Sequence, residues 1–167
     1  MPSRKPLVAI VMGSDSDLAI MKEASRMLSD FGVPFEIKIL SAHRSPSLVT
    51  KFSSSAKTRG IEVIIAGAGG AAHLAGVIAS QTNLPVIGVP IETKYLKGID
   101  SLFSTVQMPG GVPVSCMSIG RSGAKNAAIA ALQILALRDK NIQKRLKALR
   151  VDMQKTIKKK NKELKLN

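Results

Sequence analysis

LVAIVMGSDSDLAIMKEASRMLSDFG, residues 7–32, sets an apolar run, a Gly-Ser-Asp turn and a longer helical pattern in direct succession. Leu7 to Met12 reads as a strand, and Asp17 to about Phe31 reads as the helix that follows it. Gly32 falls just past the helix end, where a left-handed residue is wanted. Arg4 and Lys5 precede the apolar run as they would in a signal peptide, but the run is shorter than such a core and ends in Gly13-Ser14-Asp15.

The same rhythm repeats downstream. Strands are predicted at Phe35 to Leu40, Glu62 to Ala66, Val86 to Val89 and Val114 to Ser118. Helices are predicted at Pro46 to Arg59, Ala71 to Gln81, Ile99 to Val106 and Gly123 to Leu137. Ser45-Pro46 reads as an N-cap with proline at the first helical position, and Gly60 as a helix stop. Regular βα alternation predicts an α/β fold: a flavodoxin-like three-layer α/β/α sandwich with a central parallel sheet. In that architecture ligands bind beyond the carboxyl ends of the strands, here the first three.

After Leu137 the pattern becomes a charged helix with apolar residues at Ile142, Leu146, Leu149, Met153 and Ile157, one stripe that needs a cover. Residues 1–140 are therefore expected to form the flavodoxin-like domain, and the loops that carry chemistry make it the catalytic domain. Residues 141–167 are expected to form a C-terminal helical extension with a Lys-rich tail, packing on a neighbouring subunit or on its own core. The run Lys158-Lys159-Lys160 reads as a solvated, fraying end.

Composition narrows the function. The net charge of +14 resembles a nucleic-acid signal, but residues 138–167 hold twelve Lys or Arg against three Asp or Glu. The excess is a property of the tail, so nucleic acid is not the expected partner. Aromatics are 3% of the chain, with no Trp and Tyr95 as the one Tyr, which disfavours a flavin clamp or a base-stacking platform. The lone Cys116 excludes an internal disulfide and a Cys metal cluster, reads as a small core residue, and leaves the cytoplasm as the default location. No His, Asp, Glu or Cys spacing resembles a metal site, and no apolar stretch is long enough to span a membrane.

Three loops carry chemistry-bearing residues. In Gly13-Ser14-Asp15-Ser16-Asp17 the serines and the helix start suit a phosphate, whereas Asp17 suits sugar hydroxyls; the alternative is a plain helix cap. Ser41-Ala42-His43-Arg44-Ser45-Pro46 joins a hydroxyl, an imidazole able to give and take a proton and a guanidinium fork; otherwise Arg44 pairs with a surface carboxylate and His43 is passive. Ala66 to His73 is nearly bare backbone, fit for an anion or carboxylate at Gly69, Gly70 and Ala71, or simply a tight packing turn. His73 reads as a structural residue at a helix start. The segment Gln107 to Pro113 is a candidate lid.

Taken together these loops resemble the N5-carboxyaminoimidazole ribonucleotide mutase family of purine biosynthesis, the catalytic subunit of the older phosphoribosylaminoimidazole carboxylase. The resemblance spans about Val8 to Leu137. It rests on VMGSDSD at 11–17, SAHRSP at 41–46, AGAGGAAHLAG at 66–76, DSLFSTVQMPGGVPV at 100–114 and AIAALQ at 128–133. Ala75, Ser45 and Cys116 depart from the usual Pro, Thr and small hydroxyl or aliphatic residue.

The resemblance implies a ribonucleotide substrate whose carboxylate moves from an exocyclic nitrogen to ring carbon 4, with no metal or organic cofactor. It implies phosphate contacts from Ser14, Ser41 and Arg44, ribose contacts from Asp17, a carboxylate cradle at Gly69 to Ala71, and His43 as general acid and base. Ser16 and His73 would support them. It further implies a homo-octamer in which C-terminal helices embrace neighbours. A carboxylase using free carbon dioxide, a non-catalytic ribonucleotide- or RNA-binding module and a flavodoxin-like electron carrier remain as alternatives.

Overall fold

The computed structural model describes residues 5–164, so Arg4 and the outer ends of both expected domains lie outside the described residues. Five strands, β1 (Val8–Met12), β2 (Phe35–Ile39), β3 (Val63–Gly69), β4 (Val86–Ile91) and β5 (Ser115–Cys116), form one parallel sheet in the order β2-β1-β3-β4-β5. That is the flavodoxin-like order, with its switch between β1 and β3. Register is continuous: Val8 stands opposite Phe35 on one side and Val63 on the other, and Ile64 stands opposite Val86.

Every residue of β1 is buried, which explains its uninterrupted apolar sequence. Ala9 and Val11 share a core with Ile64 and Ala66 of β3, with Val49, Phe52 and Ala56 of α2 (Pro46–Ala56), and with Leu74, Ala75 and Ile78 of α3 (Leu74–Ala79). Alternate strand residues point to opposite faces, so Val8, Ile10 and Met12 belong to the other layer. There α1 (Leu18–Asp30) contributes the buried Met21, Ala24, Met27 and Leu28. Gly32 and Gly60 take left-handed φ of 64° and 98°, as their positions after helices predicted.

Several boundaries differ from expectation, among them α2, which ends at Ala56 and not at Arg59, and β4, which runs to Ile91 and not to Val89. β3 runs to Gly69, because Gly67 pairs with Met12 and Val89 and Gly69 pairs with Ile91; half of the predicted glycine loop is strand. In consequence α3 starts at Leu74 and not at Ala71. β5 is a two-residue edge strand, so Cys116 is only half-buried, and burial still pushes its thiol up.

The chain divides into two compact units, Met1–Ala131 and Leu132–Asn167, and the division falls within α5 (Arg121–Leu135). In the second unit, α6 (Lys140–Glu163) opens on Asp139, whose carboxylate accepts the N–H groups of Asn141 at 2.8 Å and Ile142 at 3.1 Å. Lys158, Lys159 and Lys160 are solvated as expected, but they are helical. Of the predicted stripe Ile142 is buried, while Met153 and Ile157 are exposed. No helix among the described residues is long and apolar enough to cross a membrane.

Candidate active site

The loop after β1 is held by its own polar groups. Gly13 N–H donates to the carbonyl of Gly67 at 3.1 Å, tying the loop to the end of β3. Ser14 caps the short 3-10 turn Asp15–Asp17: its N–H donates to Asp17 Oδ2 at 3.1 Å, and its hydroxyl accepts the Ser16 N–H at 3.4 Å and donates to Asp15 Oδ1 at 2.9 Å. The Ser14 hydroxyl and the Ser16 N–H lower the Asp15 carboxyl below its ordinary value. Burial outweighs similar hydrogen bonds at Asp17 and raises that carboxyl. Capping and cleft-lining are therefore joint roles of the same residues.

The loop after β2 is organised around Ser41. Its hydroxyl accepts the Arg44 backbone N–H at 3.1 Å and Nε–H at 3.4 Å, while Arg44 Nη2 donates to the Gly13 carbonyl at 3.1 Å. Arg44 thus bridges the first two loops and forms no ion pair among the described residues. Ser45 stands at the N-cap of α2 without capping it. Its hydroxyl turns back, accepting from Ser41 N–H at 3.1 Å and donating to the Ser41 carbonyl at 3.0 Å, so it closes the loop instead.

His43 reaches across to the third loop. Its Nε2 lies 2.9 Å from Nδ1 of His73, with ring centroids 5.0 Å apart. His73 stands at the N-cap of α3, as a helix-start residue should, yet its ring faces the second loop and not its own helix. The glycine turn before it is also fully specified. Gly70 takes a left-handed φ of 69° and donates its N–H to Ser101 Oγ at 2.9 Å; Ala72 N–H donates to Ser104 Oγ at 3.1 Å and contacts the Gly70 carbonyl at 2.8 Å. The N–H of Ala71 has no hydrogen-bond partner among the described residues.

These loops enclose a cleft of about 580 Å³ lined by Ser14, Ser16, Asp17, Ser41, His43, Arg44, Gly69, Ala71 and His73. Of the residues expected to act on, hold or support a substrate, only Gly70 lies outside the lining, and its N–H is turned to Ser101.

Residues 7–156 match the sequence model of AIR carboxylase. The chain belongs to the AIR carboxylase family. It is 57% identical over 164 residues to the N5-carboxyaminoimidazole ribonucleotide mutase of Pyrococcus horikoshii, covering 98% of this chain and 92% of that protein. With the Bacillus subtilis protein of the same name it shares 52% over 153 residues, 92% and 94% of the two chains. The crystal structure of Treponema denticola PurE superposes with a TM-score of 0.86 at 28% identity, over 96% of this chain and 99% of that one.

Within this AIR carboxylase fold the fourth strand contributes as well as the first three. Ile91, Glu92, Thr93, Lys94 and Tyr95, directly after or at the end of β4, line the same cleft. They were missed because the loop has no glycine-serine signature; the rule that ligands sit beyond strand carboxyl ends would have found them. No residue of the predicted lid, Gln107 to Pro113, is in the lining. Met108 packs toward Gly76, where a Cβ would meet its sulfur at 3.1 Å. No group of three or more potential metal ligands occurs among the described residues.

Proposed function

We infer that this chain catalyses the reaction for which its relatives are named. It is an N5-carboxyaminoimidazole ribonucleotide mutase of de novo purine biosynthesis. The observation that carries the reading is that residues from separate family motifs, Ser14, Asp17, Ser41, His43, Arg44 and Ala71, line one cleft.

Arg44, Ser41 and Ser14 form the polar wall suited to a phosphate, with a guanidinium already steered by the Gly13 carbonyl. Asp17 takes the ribose hydroxyls. His43 protonates the carboxylated exocyclic nitrogen; the N–C bond breaks, its electron pair stays on nitrogen with that proton, and carbon dioxide is released beside the Ala71 N–H. Ring carbon 4 then attacks the carbon dioxide to form the new C–C bond. The neutral His43 removes the proton left on that carbon, which restores the ring and returns the imidazolium. The proton count closes without a cofactor.

The exposed Met153 and Ile157 on α6 support self-association, and we assign the chain a homo-octameric state in the cytoplasm. The test of function is isotopic. Substrate labelled in the carboxylate is converted in excess unlabelled bicarbonate. Label retained in the product is the expected outcome; its full exchange into solvent marks a carboxylase of free carbon dioxide instead.

A further inference from the structure

Helix α4 (Ile99–Val106) is inside out. Three of its four apolar residues, Ile99, Phe103 and Val106, are 48%, 57% and 46% exposed and the fourth, Leu102, is half-buried, whereas Ser101 and Thr105 are 0% and 2% exposed. An amphipathic helix ordinarily buries the first set and solvates the second. A hydroxyl is placed in a core only when it is hydrogen-bonded there. What Ser101 bonds is therefore informative.

Its Oγ donates to the Ile91 carbonyl at 2.7 Å and accepts the Gly70 N–H at 2.9 Å. One hydroxyl joins the end of β4 to the turn after β3. One helical turn on, Ser104 Oγ accepts the Ala72 N–H at 3.1 Å and contacts the Gly70 carbonyl at 3.0 Å and the Asp100 carbonyl at 2.5 Å. Asp100, at the start of α4, accepts from the Thr93 hydroxyl at 2.9 Å. Neither Ser101 nor Ser104 lines the cleft, yet they bind the residues on both sides of Ala71.

We propose that Ser101 and Ser104 are positioning residues of the mutase: by occupying the N–H groups of Gly70 and Ala72 they fix the turn so that the Ala71 N–H is the donor offered to the migrating carboxylate. This rests on the functional reading above. Carbon dioxide, once free, is neutral and untethered, so its recapture depends on geometry, and displacement of a catalytic group by about 1 Å can cost about 100-fold in rate. Among the described residues no hydrogen bond joins the phosphate-facing loops at 13–17 and 41–45 to either serine, so substrate binding is separable from this effect.

Three variants of the full chain test it: Ser101→Ala, Ser104→Ala and Ser104→Thr. Amide hydrogen exchange at Gly70 and Ala72 reads the tether without reference to catalysis, and should accelerate in the alanine variants. With carboxyl-labelled substrate, kcat should fall by about 10- to 100-fold at unchanged KM. More label should also escape to bicarbonate per turnover, and Ser104→Thr should restore both. Should Ser101→Ala fail to fold, Ser104→Ala and its threonine rescue carry the test. Faster exchange with normal kcat and label retention overturns the proposal, as does a rise in KM alone. Wild-type protein inert toward the substrate defeats the functional reading instead, and the exchange data then still decide whether the serines hold the turn.

Discussion

His43 Nε2 and His73 Nδ1 stand 2.9 Å apart, with the rings edge to face at 82°. A contact of that length needs one N–H and one lone pair, so two imidazolium rings cannot make it. While it persists, a protonated His43 donates through Nε2, and His73 is neutral with its proton on Nε2. In the proposed mechanism, Nδ1 of His43 is then the nitrogen left to trade a proton with substrate. The contact thereby fixes the orientation of the His43 ring and, under that mechanism, the atom that works.

Replacing His43 by Asn keeps a polar side chain of similar reach and removes the titrating group. Turnover should fall by about 100- to 10,000-fold, the usual worth of a general acid and base. Substrate binding, measured calorimetrically, should persist, because Arg44 is held by Ser41 and Gly13 and not by His43. Near-normal turnover would remove His43 from the reaction.

Replacing His73 by Phe keeps a ring and deletes the partner nitrogen. The expectation is a fall in kcat of about tenfold with KM unchanged, since orientation and not affinity is lost. Combined with His43→Asn, it should cost nothing further, as two groups acting through one atom are not additive. Additive losses in that cycle would mean that His73 acts on substrate by a separate route.

Asp17 gives a pH test with a definite sign. Burial raises its carboxyl in the folded chain, so the folded state holds this proton to a higher pH than the unfolded state does. Its ionisation therefore subtracts from stability as pH rises through the folded value. Asp17→Asn can still accept the Ser14 N–H. It should resist urea better than wild type at pH 7, and this advantage should vanish below the ordinary carboxylate range. The same variant should raise KM about tenfold or more, by losing a charged acceptor for the ribose hydroxyls.

The strand order was legible in the sequence because each strand is an apolar run closed by turn residues, and because parallel strands joined by helices admit few topologies. The cleft loops were legible for a related reason: His43, Arg44 and Asp17 are residue types whose chemistry survives removal from context. The extent of β3 was not. Gly67 and Gly69 look like loop, yet a Cβ on Gly67 would run into the Met21 side chain, so the strand needs glycine in order to pack. Ser101 and Ser104 were equally hidden, because a serine on a helix is ordinarily solvated. One signal was present: placing Ile99, Phe103 and Val106 on one face of α4 puts hydroxyls on another, and the choice of buried face depends on tertiary bonds to Gly70 and Ile91.

Gly123 separates helix propensity from packing. It lies in the first turn of α5, where Ala would ordinarily gain about 1 kcal/mol. A Cβ there would strike the backbone carbonyl of Ser118, which has no rotamer by which to retreat. Gly123→Ala should therefore destabilise, by about 1–3 kcal/mol on the scale of other overpacked sites. Urea unfolding gives the sign directly, and a stabilised variant would mean that the Ser118 turn moves freely.

Assembly supplies the remaining prediction. Met153 and Ile157 are 53% and 57% exposed on α6, four residues apart and so on one face. If a second copy covers that face, each side chain contributes about 1.5–3 kcal/mol on burial, and a carboxylate in its place loses that and adds a desolvation cost. Ile157→Glu should shift sedimentation equilibrium toward smaller species at a given concentration. Deleting residues 158–167 removes Lys158, Lys159, Lys160, Lys162 and Lys165 but no residue of the stripe, and should leave assembly and turnover unchanged. An assembly indifferent to Ile157→Glu but broken by the deletion would place the contact on the lysine-rich end and leave the apolar face without a structural role.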